Sequence, residues 1–404
     1  MKILFLSRWF PYPANNGSKI RISGLLKQLA RRHTVFLISF AESTDVVDVD
    51  AIAAARQYCA SVHLVPSRPF HPNSIKAVVG LLSPRPRFLV DTYDQGFAEA
   101  VRQVSHRVRP DLVIASQIDT LPYLGEAPGT PAILEELEIA AYVDACRQRR
   151  PDRRLRASLT WLKLASYLRR TLPRVAACTV VSSIEQAHLL RAVPRYQNVE
   201  IVPNAINMAD YASDYGEPEP DTLVYAGALS YDANLDAVRY FLNYVYPRVR
   251  LSVPRVSLRV TGRTDGVDLS ELARFPGVQF TGYVPDVRPI VARSWASIVP
   301  LRLGGGTRLK ILEAMALGTP VVSTRKGVEG IDVTEGEDIL IADGPDELAA
   351  RIVEVLRSSQ VRRRLAEGGK RLIELRYEWG LVGRKLDQLV ERVAAESKPV
   401  GAWR

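Results

Sequence analysis

A chain of 404 residues is too long for one small hydrophobic core, so two domains are the natural expectation. Its apolar share (47%) and charged share (24%) are those of an ordinary globular protein, and no apolar run is long enough to span a bilayer. The net charge of +10, with a pI near 9.5, selects for anionic partners: nucleic acid, an anionic membrane or a phosphorylated substrate. The opening Met1 to Arg8 is too short in its apolar part for a signal peptide and reads as a first buried strand. Cys59, Cys146 and Cys178 are far apart and form no C-x-x-C pair, which fits free thiols in a reducing cytoplasm. The five histidines show no metal-ligand spacing, so no metal is expected.

In chain order, Ile3 to Ser7 is a strand, Ser18 to Arg32 a helix with Ile22, Leu25, Leu26 and Leu29 on one face, and Val35 to Phe40 the next strand. The loop between the first strand and the helix carries Asn15-Asn16-Gly17-Ser18-Lys19 at the strand's C-terminal end, where open α/β sheets bind ligands. It is not a G-x-G-x-x-G dinucleotide fingerprint. Helices over 49–60, 73–82 and 93–108 then alternate with strands at 61–65, 111–116 and 132–134. Repeated strand-then-helix order means a parallel sheet covered on both faces.

Residues 147–174 change character: ten Arg and Lys side chains face only Asp152, while Trp161, Leu164, Ala165, Leu168 and Leu172 recur at helical spacing. That is either a basic amphipathic helix lying on an anionic membrane or a domain helix with its stripe in the core; the stripe favours the core. A strand (177–182), a helix (184–192) and a strand (200–202) follow. Val202-Pro203-Asn204-Ala205-Ile206-Asn207 and the polar stretch 214–221 mark a domain boundary. Alternation then restarts, with strands ending in Gly227, Gly262 and Gly282 and a helix over 234–249. The chain continues through a short helix (286–293), a strand (296–301) and three glycines, Gly304-Gly305-Gly306. A helix from about Thr307 to Gly318, strands near 320–323 and 337–342, a helix over 345–357 and a helical tail from 361 to 396 complete it.

The glycine loop carries the chemistry. Glycines let backbone approach a ligand, and a helix N-terminus behind them offers unpaired N–H groups and a partial positive charge suited to phosphate. Arg308 and Lys310 add cations, and Glu313 follows on the same helix. The bland alternative is a flexible turn, two solvated cations and a surface Lys310–Glu313 ion pair.

Gly305-Gly306-Thr307-Arg308-Leu309-Lys310-Ile311-Leu312-Glu313-Ala314-Met315-Ala316, followed by Gly318-Thr319-Pro320-Val321-Val322, resembles the donor-site signature of glycosyltransferase family 4. Stretches 13–21, Val181-Ser182-Ser183 with Glu185, 202–207, 282–286 and 327–330 are similar to other parts of that family, so the likeness covers nearly the whole chain. The branch it most resembles is the bacterial sugar transferases of exopolysaccharide synthesis. The resemblance implies the α/β GT-B fold, two Rossmann-like domains facing each other across a cleft. The first would be 1–204, joined by a C-terminal helix over 377–404, and the second, donor-binding, would be 205–376.

It also implies roles. Glu313 matches the second glutamate of an E-x7-E motif and would hold the donor ribose; the first glutamate falls at Gly305, where backbone N–H groups would act instead. Arg308, Lys310 and Gly305 would be the catalytic set, stabilising the departing diphosphate. Gly17, Gly227, Arg263, Tyr283, Gly304, Gly306, Thr307 and Leu309 would line the donor, with Arg263 partly replacing an Arg–Lys pair absent after Gly227. Lys19, Gln117 and Asp119 would lie on the acceptor side, where many members have a histidine. The implied reaction is retaining transfer of a sugar from a nucleotide diphosphate to a hydroxyl of a glycan or lipid-linked acceptor, without cofactor or metal. The resemblance implies a role in cell-surface polysaccharide or glycolipid synthesis; the free thiols point to the cytoplasm, and the basic excess adds peripheral contact with the inner face of an anionic membrane as a further expectation. A nucleotide-sugar epimerase and a non-catalytic nucleotide-sugar-binding protein are the competing readings, and no nucleic-acid recognition motif is present.

Overall fold

The computed structural model describes residues 1–41, 49–146 and 151–396. The arginines at 147, 149 and 150, and the end of the expected tail helix beyond 396, lie outside the described residues. The chain divides into two compact units: Met1–Pro203 together with the chain from Val382 onward, and Asn204–Leu381.

The first unit is built on seven parallel strands: β1 (Lys2–Ser7), β2 (Thr34–Ala41), β3 (Ser61–Pro66), β4 (Leu112–Ser116), β5 (Ala132–Glu135), β6 (Ala177–Val180) and β7 (Val199–Ile201). Their order is β3-β2-β1-β4-β5-β6-β7. Ile3, Leu4, Phe5 and Leu6 of β1 are all fully buried, as a central parallel strand covered on both faces requires. The order reverses between β1, paired with β2 as Ile3 to Val35, and β4, paired with β1 as Leu112 to Ile3. Such a switch point leaves a crevice at the strands' C-terminal ends. The helix Gly17–Ala30 enters there, capped by Asn16, whose Oδ1 accepts from the Lys19 N–H at 3.0 Å.

The helix Trp379–Glu396 returns to this unit. Gln28 donates to Asp387 Oδ2 at 2.7 Å, and Arg32 pairs with Glu391 at 2.8 Å. All three cysteines are free thiols, and burial pushes the Cys59 thiol up to about 12.

The second unit is a six-stranded parallel sheet: β8 (Glu219–Ala226), β9 (Ser257–Thr261), β10 (Val278–Gly282), β11 (Ser294–Val299), β12 (Val321–Ser323) and β13 (Leu340–Ile341), in the order β10-β9-β8-β11-β12-β13. β8, β9 and β10 are neighbours, so their terminal glycines meet at one edge. Gly262 (φ +134°) lies so close that an added Cβ would sit 2.5 Å from the Gly227 carbonyl carbon.

The structure corrects several element boundaries, among them the helix expected over 49–60, which ends at Arg56, and the strand expected near 337–342, which is only Leu340–Ile341. β8 starts at Glu219, inside the polar stretch 214–221. The helix expected over 234–249 is two α segments, Asp232–Tyr240 and Tyr246–Ser252, around a wide π turn at Phe241–Val245. Pro247 lacks the N–H that a continuous ladder needs. The helix expected over 73–82 is only Ile75–Val79. The helix behind the glycine loop begins at Leu309, because Arg308 is extended (φ −84°, ψ 94°) and stands as its N-cap.

Candidate functional site

The site of the second unit is assembled where β8, β11 and the helix Leu309–Ala316 meet. β11 feeds a loop whose turns need the left-handed backbone at Gly304 (φ +98°) and Gly306 (φ +77°). An added Cβ at Gly304 would contact Tyr231 Oη and Ala233 Cβ at 3.5 Å, so the loop packs on the start of the helix Asp232–Tyr240. Asn204 Nδ2 donates to the Thr307 carbonyl at 3.2 Å, which ties the linker to the loop. The Thr307 hydroxyl is buried without a hydrogen-bond partner among the described residues. Arg308 reaches back to donate to the Gly306 carbonyl at 2.6 Å.

Lys310 sits in the first turn of the helix and sends its ammonium to the end of β8. There it lies 3.0 Å from Asn234 Oδ1, 3.2 Å from Tyr225 Oη and 4.3 Å from the centre of the Tyr225 ring. Tyr225, fully buried, donates its own proton to Asn234 at 2.7 Å, and Asn234 Nδ2 donates to the Ala228 carbonyl. Gly227 makes room for the ammonium: a Cβ there would stand 2.5 Å from Nζ. Burial, and secondarily the Arg308 guanidinium, push Lys310 down to about 7, against the pull of Glu313. Among the described residues no carboxylate is hydrogen-bonded to it. A cation held this way is poised to take a proton and an anion together.

Glu313, one turn further on, faces a different neighbour. Its Oε1 accepts from the Tyr211 hydroxyl at 3.0 Å. Burial lifts its carboxyl above the usual range, opposed by the Tyr211 hydrogen bond and by Lys310 and Arg288. Arg288 pairs with Asp286 at 2.8 Å and lies over the Tyr211 ring at 6.0 Å. Lys310 and Glu313 are therefore not the surface ion pair that their spacing allowed.

The other expected donor residues divide. Gly227 lies against the Lys310 ammonium and Arg308 acts on it electrostatically, while Gly304 lies against Arg308; Gly305, Gly306 and Thr307 belong to the same loop by sequence. Leu309 is buried in the core and offers the loop its backbone alone. The Arg263 side chain does not reach Lys310; it is exposed and paired with Asp265 at 2.9 Å. Tyr283 is 51% exposed beyond β10. Sequence reasoning missed Tyr211, Tyr225 and Asn234: Tyr225 reads as one more core residue of an apolar strand, and Asn234 as a helix start.

Gly17 and Lys19 belong to the first unit, at the start of its first helix, with Gly17 exposed and Lys19 buried. Gln117 and Asp119 follow β4 in the same unit. Gln117 (φ +67°) donates from Nε2 to Glu136 at 3.0 Å, and Glu136 (φ +56°) follows β5 directly. Two non-glycine residues in left-handed backbone side by side store strain of the kind found at working sites. Burial pushes Glu136 up to about 8, although Arg21 opposes it. Asp119 pairs with Arg8 at 3.7 Å, and burial raises its carboxyl. Beneath them Arg21 makes two bonds to Glu135, 2.9 and 2.6 Å, with a third donor to Glu135 from Ser116 at 2.8 Å. Glu185 accepts from the N–H groups of Ile139 and Ala140 at 2.7 and 3.0 Å, so it holds the backbone after β5.

Among the described residues, no three His, Cys, Asp or Glu side chains are placed to hold a metal ion, and no helix is long and apolar enough to cross a membrane.

Residues 220–358, most of the second unit, match the family model described as "Glycosyl transferases group 1". A curated protein of Klebsiella pneumoniae, an uncharacterized 44.6 kDa protein in its cps region, is 24% identical over 164 residues. That match spans 39% of this chain and 42% of the relative, less than half of either. Among solved structures, sucrose-phosphate synthase of Thermosynechococcus elongatus superposes with a TM-score of 0.70 at 17% identity, covering 98% of this chain and all of the other. HepE of Anabaena, solved with UDP and glucose, gives 0.66 at 15% identity over 97% of this chain and all of its own. At such identities the likeness establishes the fold, α/β with two Rossmann-like parallel-sheet domains of the kind found in GT-B glycosyltransferase structures. The sequence likeness to group 1 glycosyltransferases is thus confined to 220–358, and along the rest of the chain the likeness is one of fold.

Proposed function

We propose that the protein is a family 4-type retaining glycosyltransferase that moves a sugar from a nucleotide diphosphate to a hydroxyl of a glycan or lipid-linked acceptor. The observation that carries this is the Lys310 ammonium, lodged against Gly227 beside the 304–306 loop, with Glu313 on the next turn of the same helix. The matched family over 220–358 and the nucleotide-bound relatives support it. The diphosphate would lie along the glycine loop, met by its N–H groups, by Arg308 and by Lys310. The ribose would bond to Glu313. In the transfer the bond from the anomeric carbon to the diphosphate breaks and a bond to the acceptor oxygen forms. The acceptor proton passes to a departing phosphate oxygen, and the amides and cations around the loop stabilise the charge as it develops.

In this reading Gly305 leaves the sugar to backbone donors, and side-chain cations do the neutralising. Gln117, Asp119 and Lys19 of the first unit bind acceptor. The protein works in the cytoplasm, at the inner face of an anionic membrane, in cell-surface polysaccharide or glycolipid synthesis. The UDP in the HepE structure makes UDP-sugars the first donors to try.

The test is incubation with UDP-, GDP-, ADP- and dTDP-sugars, with released nucleotide followed and the product's anomeric configuration read by NMR. Release of one nucleotide with configuration retained is the expected result. Inversion would contradict the mechanism. Tight binding of a donor with no turnover on any acceptor would favour the binding-protein reading, to which Gly305 in place of glutamate gives its specific support.

A further inference from the structure

Large apolar side chains that stand exposed are concentrated in one part of the first unit. In the helix Ile75–Val79 and the turn after it, Ile75 is 84% exposed, Val78 52%, Val79 60%, Leu81 54% and Leu82 92%. On the helix Pro151–Thr171, Leu155, Leu159 and Leu162 are 63%, 56% and 62% exposed. These three follow an i, i+4, i+7 spacing and share one face. The inward stripe of that helix is a different one: Leu164 and Leu168 are fully buried and Ala165 nearly so. A core helix needs only that second stripe. The outward leucines lie on a different face from that stripe and stand more than half exposed.

The two segments are one surface. Lys163 donates to the carbonyls of Gly80 and Ser83 at 3.2 Å each, and also to that of Leu81. Arg170 reaches the Pro84 carbonyl at 2.7 Å. The turn carrying Leu81 and Leu82 is thereby clamped to the long helix, beside Leu159 and Leu162. Exposed cations border it: Lys76 and Arg85 on the turn side, and Arg153, Arg154 and Arg156 on the helix, with Asp152 as the acid beside them.

We propose that this face is a lipid-docking platform, seating the first unit on an anionic bilayer with Leu, Ile and Val side chains in the acyl boundary and Lys and Arg at the headgroups. Aliphatic residues ringed by cations are what an interfacial anchor needs. A protein partner would favour aromatic anchors and a patch depleted of lysine. A second copy would set one basic rim against another. The proposal gives a surface to the membrane location proposed above and rests on that part of the reading, but not on the transfer reaction, so vesicle binding and sugar transfer can fail separately.

The experiment is sedimentation of the full chain with vesicles of phosphatidylcholine alone or mixed with phosphatidylglycerol, at low and high salt. The wild type should bind the anionic vesicles, more weakly as salt rises. The double variant Leu82→Asp/Leu159→Asp should lose about tenfold or more in vesicle affinity. Both side chains are exposed, so its thermal midpoint and its response to nucleotide-sugars should stay unchanged. As an independent readout, Leu82→Cys in a Cys146→Ser background, labelled with an environment-sensitive dye, should brighten and shift to the blue on vesicle addition. Absence of wild-type binding to anionic vesicles at low salt would overturn the proposal. So would undiminished binding by the double variant, or a dimer that this variant abolishes.

Discussion

Lys310 is the residue on which the second unit's chemistry turns. Its ammonium is held by Asn234, by Tyr225 and by the Tyr225 ring, and burial pushes it down to about 7. A bound diphosphate would favour the charged form and raise that value. The sign follows: donor affinity is full below about 7 and falls as pH rises through 7 towards the bound-state pKa. Nucleotide-sugar titrations between pH 6 and 9 check this, because the substituted diphosphate keeps its charge across that range; a flat profile would contradict it. Arg21 and Glu135 make the opposite kind of pair, fully buried and satisfied in the first unit. Arg21→Met leaves Glu135 a buried, unmatched charge and should cost about 3–5 kcal/mol of stability. Denaturant unfolding measures it, and a loss below about 1 kcal/mol would mean that the pair is water-accessible in solution.

Elements decide whether that residue chemistry is assembled. Gly227 does not sit in left-handed backbone, so Gly227→Ala is a test of space alone. Its Cβ would meet Lys310 Nζ at 2.5 Å and Asn234 Nδ2 at 3.0 Å. The variant should fold with a near-normal thermal midpoint, yet bind donor at least about tenfold more weakly, the effect of losing one charge-assisted contact. Undiminished binding, measured by calorimetry, would detach Lys310 from the donor. This element also marks what the sequence could convey. The strand, glycine loop and helix were legible because glycine runs and apolar periodicity are local signals. The direction of Lys310 was not, since it depends on Tyr225 and Asn234 from another strand and helix. The helix start was misplaced by two residues because Thr307 and Arg308 carry no mark against helix. On Pro151–Thr171 the regular stripe of Trp161, Leu164, Ala165, Leu168 and Leu172 was legible as core. Leu155, Leu159 and Leu162 went unremarked, since exposure is a property of neighbours.

At the scale of the molecule, the chain builds two parallel-sheet units and sends its last helix back to the first. Gly383 makes that return close: a Cβ there would lie 2.4 Å from Gln28 Cδ. Gly383→Val should push Gln28 from Asp387 and destabilise the first unit by about 1–3 kcal/mol. The loss should appear in hydrogen exchange of the helix Gly17–Ala30, with the second unit unchanged; equal loss in both units would contradict it. The repeating strand–helix order was readable from periodicity, whereas the wide turn at 241–245 was not, with Pro247 two residues downstream. The central claim is that the second unit binds the nucleotide end of a sugar donor through the 304–306 loop, Lys310 and Glu313. The most direct measurement is a thermal-shift screen of wild type and Glu313→Ala against UDP-, GDP-, ADP- and dTDP-sugars. The account predicts stabilisation by one donor in the wild type, lost or reduced about tenfold in affinity in Glu313→Ala without a change in its own midpoint. No stabilisation by any donor, or equal stabilisation of both proteins, would contradict it.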